Sequence, residues 1–121
     1  MFIVSVETNF TASHQMTFPD GSKEPIHEHN WLVIAAVRRY TLGKMEIVID
    51  FHRLKSLLDG IVGELADTAM EKNDYFRQNG SSAEMLARYV YEKLQPKLPA
   101  EVRLEAVKVA EQSGCWAKFS K

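Results

Sequence analysis

Cysteine is almost missing from this chain. Cys115 stands alone, so no internal disulfide is expected, and a lone thiol fits a reducing, cytoplasmic setting. Long apolar runs are missing too. None approaches the roughly 18 residues of a membrane-spanning helix, and the first residues lack the basic, apolar, small-residue order of a secretory signal. Charge of one sign is not in excess either: 15 Lys and Arg against 16 Asp and Glu leave a net charge of −1. With both signs interspersed, there is no electrostatic footprint for nucleic acid or an anionic membrane. Internal repeats, linkers and low-complexity stretches are absent. The 121 residues read as one domain, 1–121, large enough to bury a core unaided by cross-links.

Histidine is scarce as well, but its placing carries information. Three of the 4 histidines, His14, His27 and His29, lie in the first quarter of the chain. On an extended strand, residues two apart share a face, so His27 and His29 can offer both imidazoles to one point. A neighbouring strand carrying His14 would supply a third. Three imidazoles with a fourth position open is the arrangement of a catalytic zinc site, whereas structural zinc takes four protein ligands. The plain alternative is three unrelated surface or core histidines.

The apolar pattern puts these histidines on strands. Residues 2–14 alternate, with Phe2, Val4, Val6, Phe10, Ala12 and His14 on one parity, which predicts a half-buried strand. Phe18 to Ser22 reads as a turn or loop. A second strand spans 27–40, with His27, His29, Trp31, Val33, Ala35 and Val37 together. Leu42-Gly43-Lys44 predicts a hairpin turn into a short strand, Met45 to Ile49. From Asp50, an N-cap candidate, Phe51, Leu54, Leu57, Leu58, Ile61, Val62 and Leu65 follow the helical period. Thr68–Gly80 is polar and ambiguous. A second helix is expected from Ser81, with Ser81 and Glu84 as a capping box, ending near Pro96. Strands at about 101–110 and 114–119, joined by a turn at Gln112–Gly114, close the chain.

This order predicts an α+β fold, one antiparallel four-stranded sheet with two helices over one face. The other face would carry Leu32, Ile34 and Val107. Sister subunits would cover them, and closure into a barrel would remove the sheet edges.

Five segments together resemble the 6-pyruvoyl-tetrahydropterin synthase and 6-carboxytetrahydropterin synthase family. They are Phe10-x-Ala12-x-His14; His27-x-His29-Asn30 with Trp31; Ile47-Val48-Ile49-Asp50-Phe51; Ser82-Ala83-Glu84-Met85-Leu86-Ala87; and Val109-Ala110-Glu111 with Gly114-Cys115. The resemblance spans nearly the whole chain in the right order. It implies a T-fold, with two helices inserted between the strand pairs. It also implies trimers forming a barrel and stacking into a homohexamer (a dimer of trimers), with sites at subunit interfaces. By the same resemblance His14, His27 and His29 hold Zn2+, and Glu111 anchors the pterin ring. A carboxylate suits that edge because it accepts two parallel hydrogen bonds from the 2-amino and N3–H groups. Without the resemblance, Glu111 reads as a solvated acid beside a turn.

The chain departs from the family pattern at several positions. The usual cysteine four residues before the histidine pair is Lys23, which could contact a triphosphate or simply be exposed. The usual Asp-His pair near the end of the first helix is absent, since Leu65 to Asp74 contains no histidine. The residue between the paired histidines is Glu28. Glu24 is the nearest replacement for the cysteine and resembles a branch with a glutamate shortly before the pair. A glutamate is a competent general base once its pKa is tuned. Asp67 and Glu71, four apart, would share a face if the first helix extended that far, and either could replace the missing pair. His52 reads as a surface residue and Cys115 as a small core residue.

The resemblance therefore implies a zinc-dependent lyase acting on dihydroneopterin triphosphate or a related reduced pterin, in queuosine or folate biosynthesis. Side-chain cleavage or carboxytetrahydropterin formation comes ahead of pyruvoyl formation, which needs two acid/base groups. The alternative is a zinc-containing pterin-binding protein of the same fold that performs no catalysis.

Overall fold

The computed structural model describes all residues, Met1 to Lys121. Strands β1 (Phe2–His14) and β2 (His27–Arg39) pair antiparallel along their full length, from Phe2 opposite Arg39 to His14 opposite His27. Helix α1 covers Phe51–Gly63, α2 Asp74–Asn79 and α3 Ala83–Leu94. Strands β3 (Arg103–Gln112) and β4 (Cys115–Phe119) follow, and the sheet order is β1-β2-β3-β4. No helix is long and apolar enough to cross a membrane.

The alternation read from sequence sorts the side chains. Val6, Phe10, Ala12 and His14 of β1 and Trp31, Val33, Ala35 and Val37 of β2 point to the buried face. Leu54, Leu58, Ile61 and Val62 of α1 and Leu86, Ala87, Val90 and Leu94 of α3 close over it. The opposite face leaves Leu32 and Ile34 only half-buried. Val107 does not join them, contrary to expectation. It pairs with Ala35 and is fully buried, because a β-bulge opposite the Ala36–Val37 step inserts Glu105 as an extra residue and reverses the alternation.

Asp50 caps α1 as expected, its carboxylate accepting from His52 N–H at 2.8 Å, and His52 is exposed. Met45 to Ile49 forms no strand. Met45 and Glu46 take positive φ (65 and 56), which an extended strand does not accommodate, and the segment turns at Lys44–Glu46, with Gly43 N–H bonded to Ile47 O. α1 ends at Gly63, so Asp67 and Glu71 share no helix face. Asp67 instead adopts φ +59, and its N–H donates to Thr11 O. Thr68 O accepts from Ser13 N–H, so residues 67–69 lie along the edge of β1. The polar stretch beyond becomes a 3₁₀ turn at Met70–Lys72 and then α2, capped by Asn73. Ser82, not Ser81, caps α3, accepting from Met85 N–H at 3.2 Å. Ser81 is buried just before it. Cys115 is exposed rather than core, because it opens the edge strand at the hairpin end, opposite Gln112.

Candidate metal centre

The register of one strand pair assembles the site. His14 lies directly opposite His27, and Ala12 opposite His29, so all three imidazoles rise from the same face at the same end of the sheet. Trp31, opposite Phe10, forms the floor. Its ring sits edge-on to His14 and His29, with centroids 5.0 and 5.3 Å away. Its Nε1–H donates to Ala12 O at 3.2 Å, so a fully buried residue fixes both rings from beneath.

Backbone carbonyls orient two of the imidazoles. His14 Nδ1 is 2.8 Å from Ser81 O, and His27 Nδ1 is 3.0 Å from Pro25 O. A carbonyl can only accept, so these partners assign the proton of each neutral ring to Nδ1 and leave a lone pair on Nε2. Those two Nε2 atoms are 2.8 Å apart. Two lone pairs at that distance repel unless a proton or a metal ion lies between them.

Glu111 completes the group. Its Oε1 lies 2.9 Å from His14 Nε2, 3.0 Å from His29 Nε2 and 4.0 Å from His27 Nε2. One ligand atom from each of the four residues falls within 4.8 Å of all the others. His29 Nε2 is close to that carboxylate but not aligned to donate to it, and this buried nitrogen has no hydrogen-bond partner. Burial lowers the His29 pKa from its ordinary 6.5, against the opposing pull of the Glu111 charge. A neutral imidazole with an orphaned nitrogen, beside two others turned by their carbonyls, is the donor set of a borderline-soft divalent ion such as Zn2+. The residues fit the metal.

A cavity of about 220 Å³ opens over the cluster, and Glu24 and Glu84 line it beside His14, His27 and Glu111. Glu24 Oε1 accepts from Met16 N–H at 3.0 Å and lies 3.7 Å from His27 Nδ1. Its carboxylate sits at the cavity wall on the Nδ1 side of His27, one-quarter exposed. Glu71 grips the next peptide group, accepting from Gln15 N–H at 3.2 Å. It lines a neighbouring cavity of about 440 Å³, together with Lys23 and Arg77. Asp67 is exposed and lies outside both cavities.

Sequence reasoning missed the carbonyls of Ser81 and Pro25, which no side-chain pattern can announce. It also missed Glu84 as a cavity residue, because its position in the first turn of α3 reads as a capping partner.

The profile of the family described as 6-pyruvoyl tetrahydropterin synthase matches residues 3–121. A 6-carboxy-5,6,7,8-tetrahydropterin synthase from Synechocystis sp. is 29% identical over 99 residues, covering 78% of this chain and 76% of that protein. Among solved structures, the 6-pyruvoyl tetrahydropterin synthase of Caenorhabditis elegans superposes with a TM-score of 0.83 at 21% identity, covering 100% of this chain and 97% of that one. The Plasmodium falciparum enzyme gives 0.79 at 20% identity, with 99% and 97% covered. The Plasmodium vivax enzyme gives 0.73 at 20%, with 100% and 99% covered, in forms that include alanine and cysteine replacements of a catalytic glutamate. The chain belongs to the 6-pyruvoyl tetrahydropterin synthase family of pterin lyases and has its T-fold.

Proposed function

We propose that this protein is a zinc-dependent lyase acting on the carbon-6 side chain of a reduced pterin, with dihydroneopterin triphosphate as its substrate. The observation that carries the reading is the convergence of three imidazole nitrogens and Glu111, with His14, His27 and Glu111 lining one cavity. His14, His27 and His29 would hold the ion. When bound, Zn2+ supplies a Lewis acid that polarises side-chain oxygens and acidifies the neighbouring proton. Glu111 offers its two oxygens to the 2-amino and N3–H edge of the ring. Glu24 is the general base: Oε1 is held by Met16 N–H, which leaves Oε2 free to take a proton from the side chain. The Plasmodium vivax enzyme, with its catalytic glutamate, supports a carboxylate in that role.

The expected product is 6-carboxytetrahydropterin or 6-hydroxymethyl-dihydropterin, ahead of the pyruvoyl compound. Pyruvoyl formation moves protons at two carbons, and Leu65 to Asp74 supplies no histidine for the second. The assembly belonging to this reading is a homohexamer of two stacked trimers. It is supported by the half-buried Leu32 and Ile34 and by the edge positions of β4 and of β1, the latter covered only beside Thr11–Ser13, and sedimentation checks it.

The test is incubation of zinc-loaded protein with dihydroneopterin triphosphate, with products resolved by mass spectrometry, beside Glu24→Ala and His27→Ala. A cleaved or carboxylated pterin, lost in both variants, establishes the lyase. Saturable pterin binding without product would make this a binding protein on the same fold.

A further inference from the structure

Glu111 is the extra residue of a second bulge. Ala110 pairs with Trp116 and Gln112 with Cys115, which leaves Glu111 unpaired between them. A bulge re-aims the side chain it carries, and this one aims a carboxylate at the imidazole nitrogens. No backbone N–H, Lys or Arg holds that carboxylate; its polar partners are the three histidines. Yet the His14 and His27 protons are committed to Ser81 O and Pro25 O on the far side of each ring. A carboxylate only accepts, so with both rings neutral an anion faces two lone pairs with no proton between them. A cation in their midst makes all four groups compatible at once.

We propose that Glu111 is a fourth metal ligand that closes the site while no pterin is bound, and that the arriving ring draws it off and opens a coordination position. This rests on the metal-dependent pterin reading above. The two uses of Glu111 exclude each other. Gripping the ring edge takes both oxygens, whereas the geometry here commits Oε1 to the imidazole cluster. The side chain has room to turn, being one-third exposed, while that of His14 is almost wholly buried. With three imidazoles and one carboxylate, the resting site has the four protein ligands of a closed zinc centre. The ring would act as its own key. Glu84, on the same cavity wall, is the competing carboxylate for the ring.

The test replaces zinc by Co(II), whose visible absorption reports coordination number and ligand set. The added probe is pterin without a carbon-6 substituent, with its binding followed separately by fluorescence. In the wild type, saturating pterin is expected to shift a four-coordinate spectrum while keeping its intensity. Pterin-free Glu111→Gln should start from a different spectrum and bind Co(II) more weakly, by at least the roughly 10–100-fold that loss of an outer-shell partner costs. Three results would overturn the proposal: a wild-type spectrum unmoved by bound pterin, wild-type spectrum and affinity in Glu111→Gln, or a fall to the weak absorption of a higher-coordinate ion. That last result would mean the ring adds a ligand without displacing Glu111. Failure of the underlying reading looks different, with no Co(II) uptake by the wild type or equal uptake by His27→Ala.

Discussion

His14 and His27 face each other across the β1–β2 pair with their Nε2 atoms 2.8 Å apart, and each ring is turned by a backbone carbonyl behind it. One strand register and two carbonyls thus fix the two imidazoles in place. That preorganisation makes the site sensitive to each imidazole and to what lies behind it.

Replacing any one of His14, His27 or His29 by alanine should take the protein from a single zinc per chain to near none after dialysis. Mass spectrometry of the metal content checks this. His14→Ala should also destabilise the metal-free fold, because the buried Ser81 carbonyl loses its partner, at a cost of about 1–3 kcal/mol.

Trp31→Phe tests the floor. It removes one of the hydrogen bonds to Ala12 O, whose residue is also paired with His29 in the ladder, and loosens the packing beneath His14 and His29. Stability should fall by about 1–3 kcal/mol, and zinc affinity by roughly 10-fold, as for other losses behind a ligand. Urea titration of the metal-free protein and competition with a chromophoric chelator measure the two effects.

The carboxylates should separate cleanly. Glu24→Gln is expected to lower kcat by about 10²–10⁴, the usual contribution of a general base, with pterin binding retained. Glu71→Gln keeps an acceptor for Gln15 N–H, and Asp67→Asn keeps a residue type that tolerates positive φ. Both should stay within a few-fold of wild-type turnover. A larger loss in either would move the base away from Glu24.

Without metal, stability should depend on pH through His29. Burial lowers its folded-state pKa below the ordinary 6.5. The unfolded chain therefore binds this proton near pH 6.5, while the folded one resists until the pH is lower. The stabilisation is complete above pH 6.5 and is lost as the pH falls below it. Urea midpoints at pH 7.5 and 5.5 should differ more in the wild type than in His29→Gln.

Much of this was legible in the sequence because it depends on parity. The alternation in 2–14 and 27–40 put His14, His27 and His29 on one face, and it needed only the strand pairing to bring them together. The misplaced features depend on tertiary choices. Val107 changes face through one inserted residue at Glu105. Met45–Ile49 has strand-like composition but turns on the positive φ of Met45 and Glu46. The cap of α3 moves from Ser81 to Ser82, which frees the Ser81 carbonyl for His14. The aim of Glu111 at the imidazoles, set by a bulge, likewise has no signature in a pattern of residue types.

Anomalous diffraction at the zinc edge, from crystals grown with zinc and the reduced pterin, would locate the metal and the ring together. One peak per chain is expected among the Nε2 atoms of His14, His27 and His29, with the 2-amino edge of the ring on the Glu111 carboxylate. A peak elsewhere, or a ring whose edge meets neither Glu111 nor the cavity above the histidines, would contradict that arrangement.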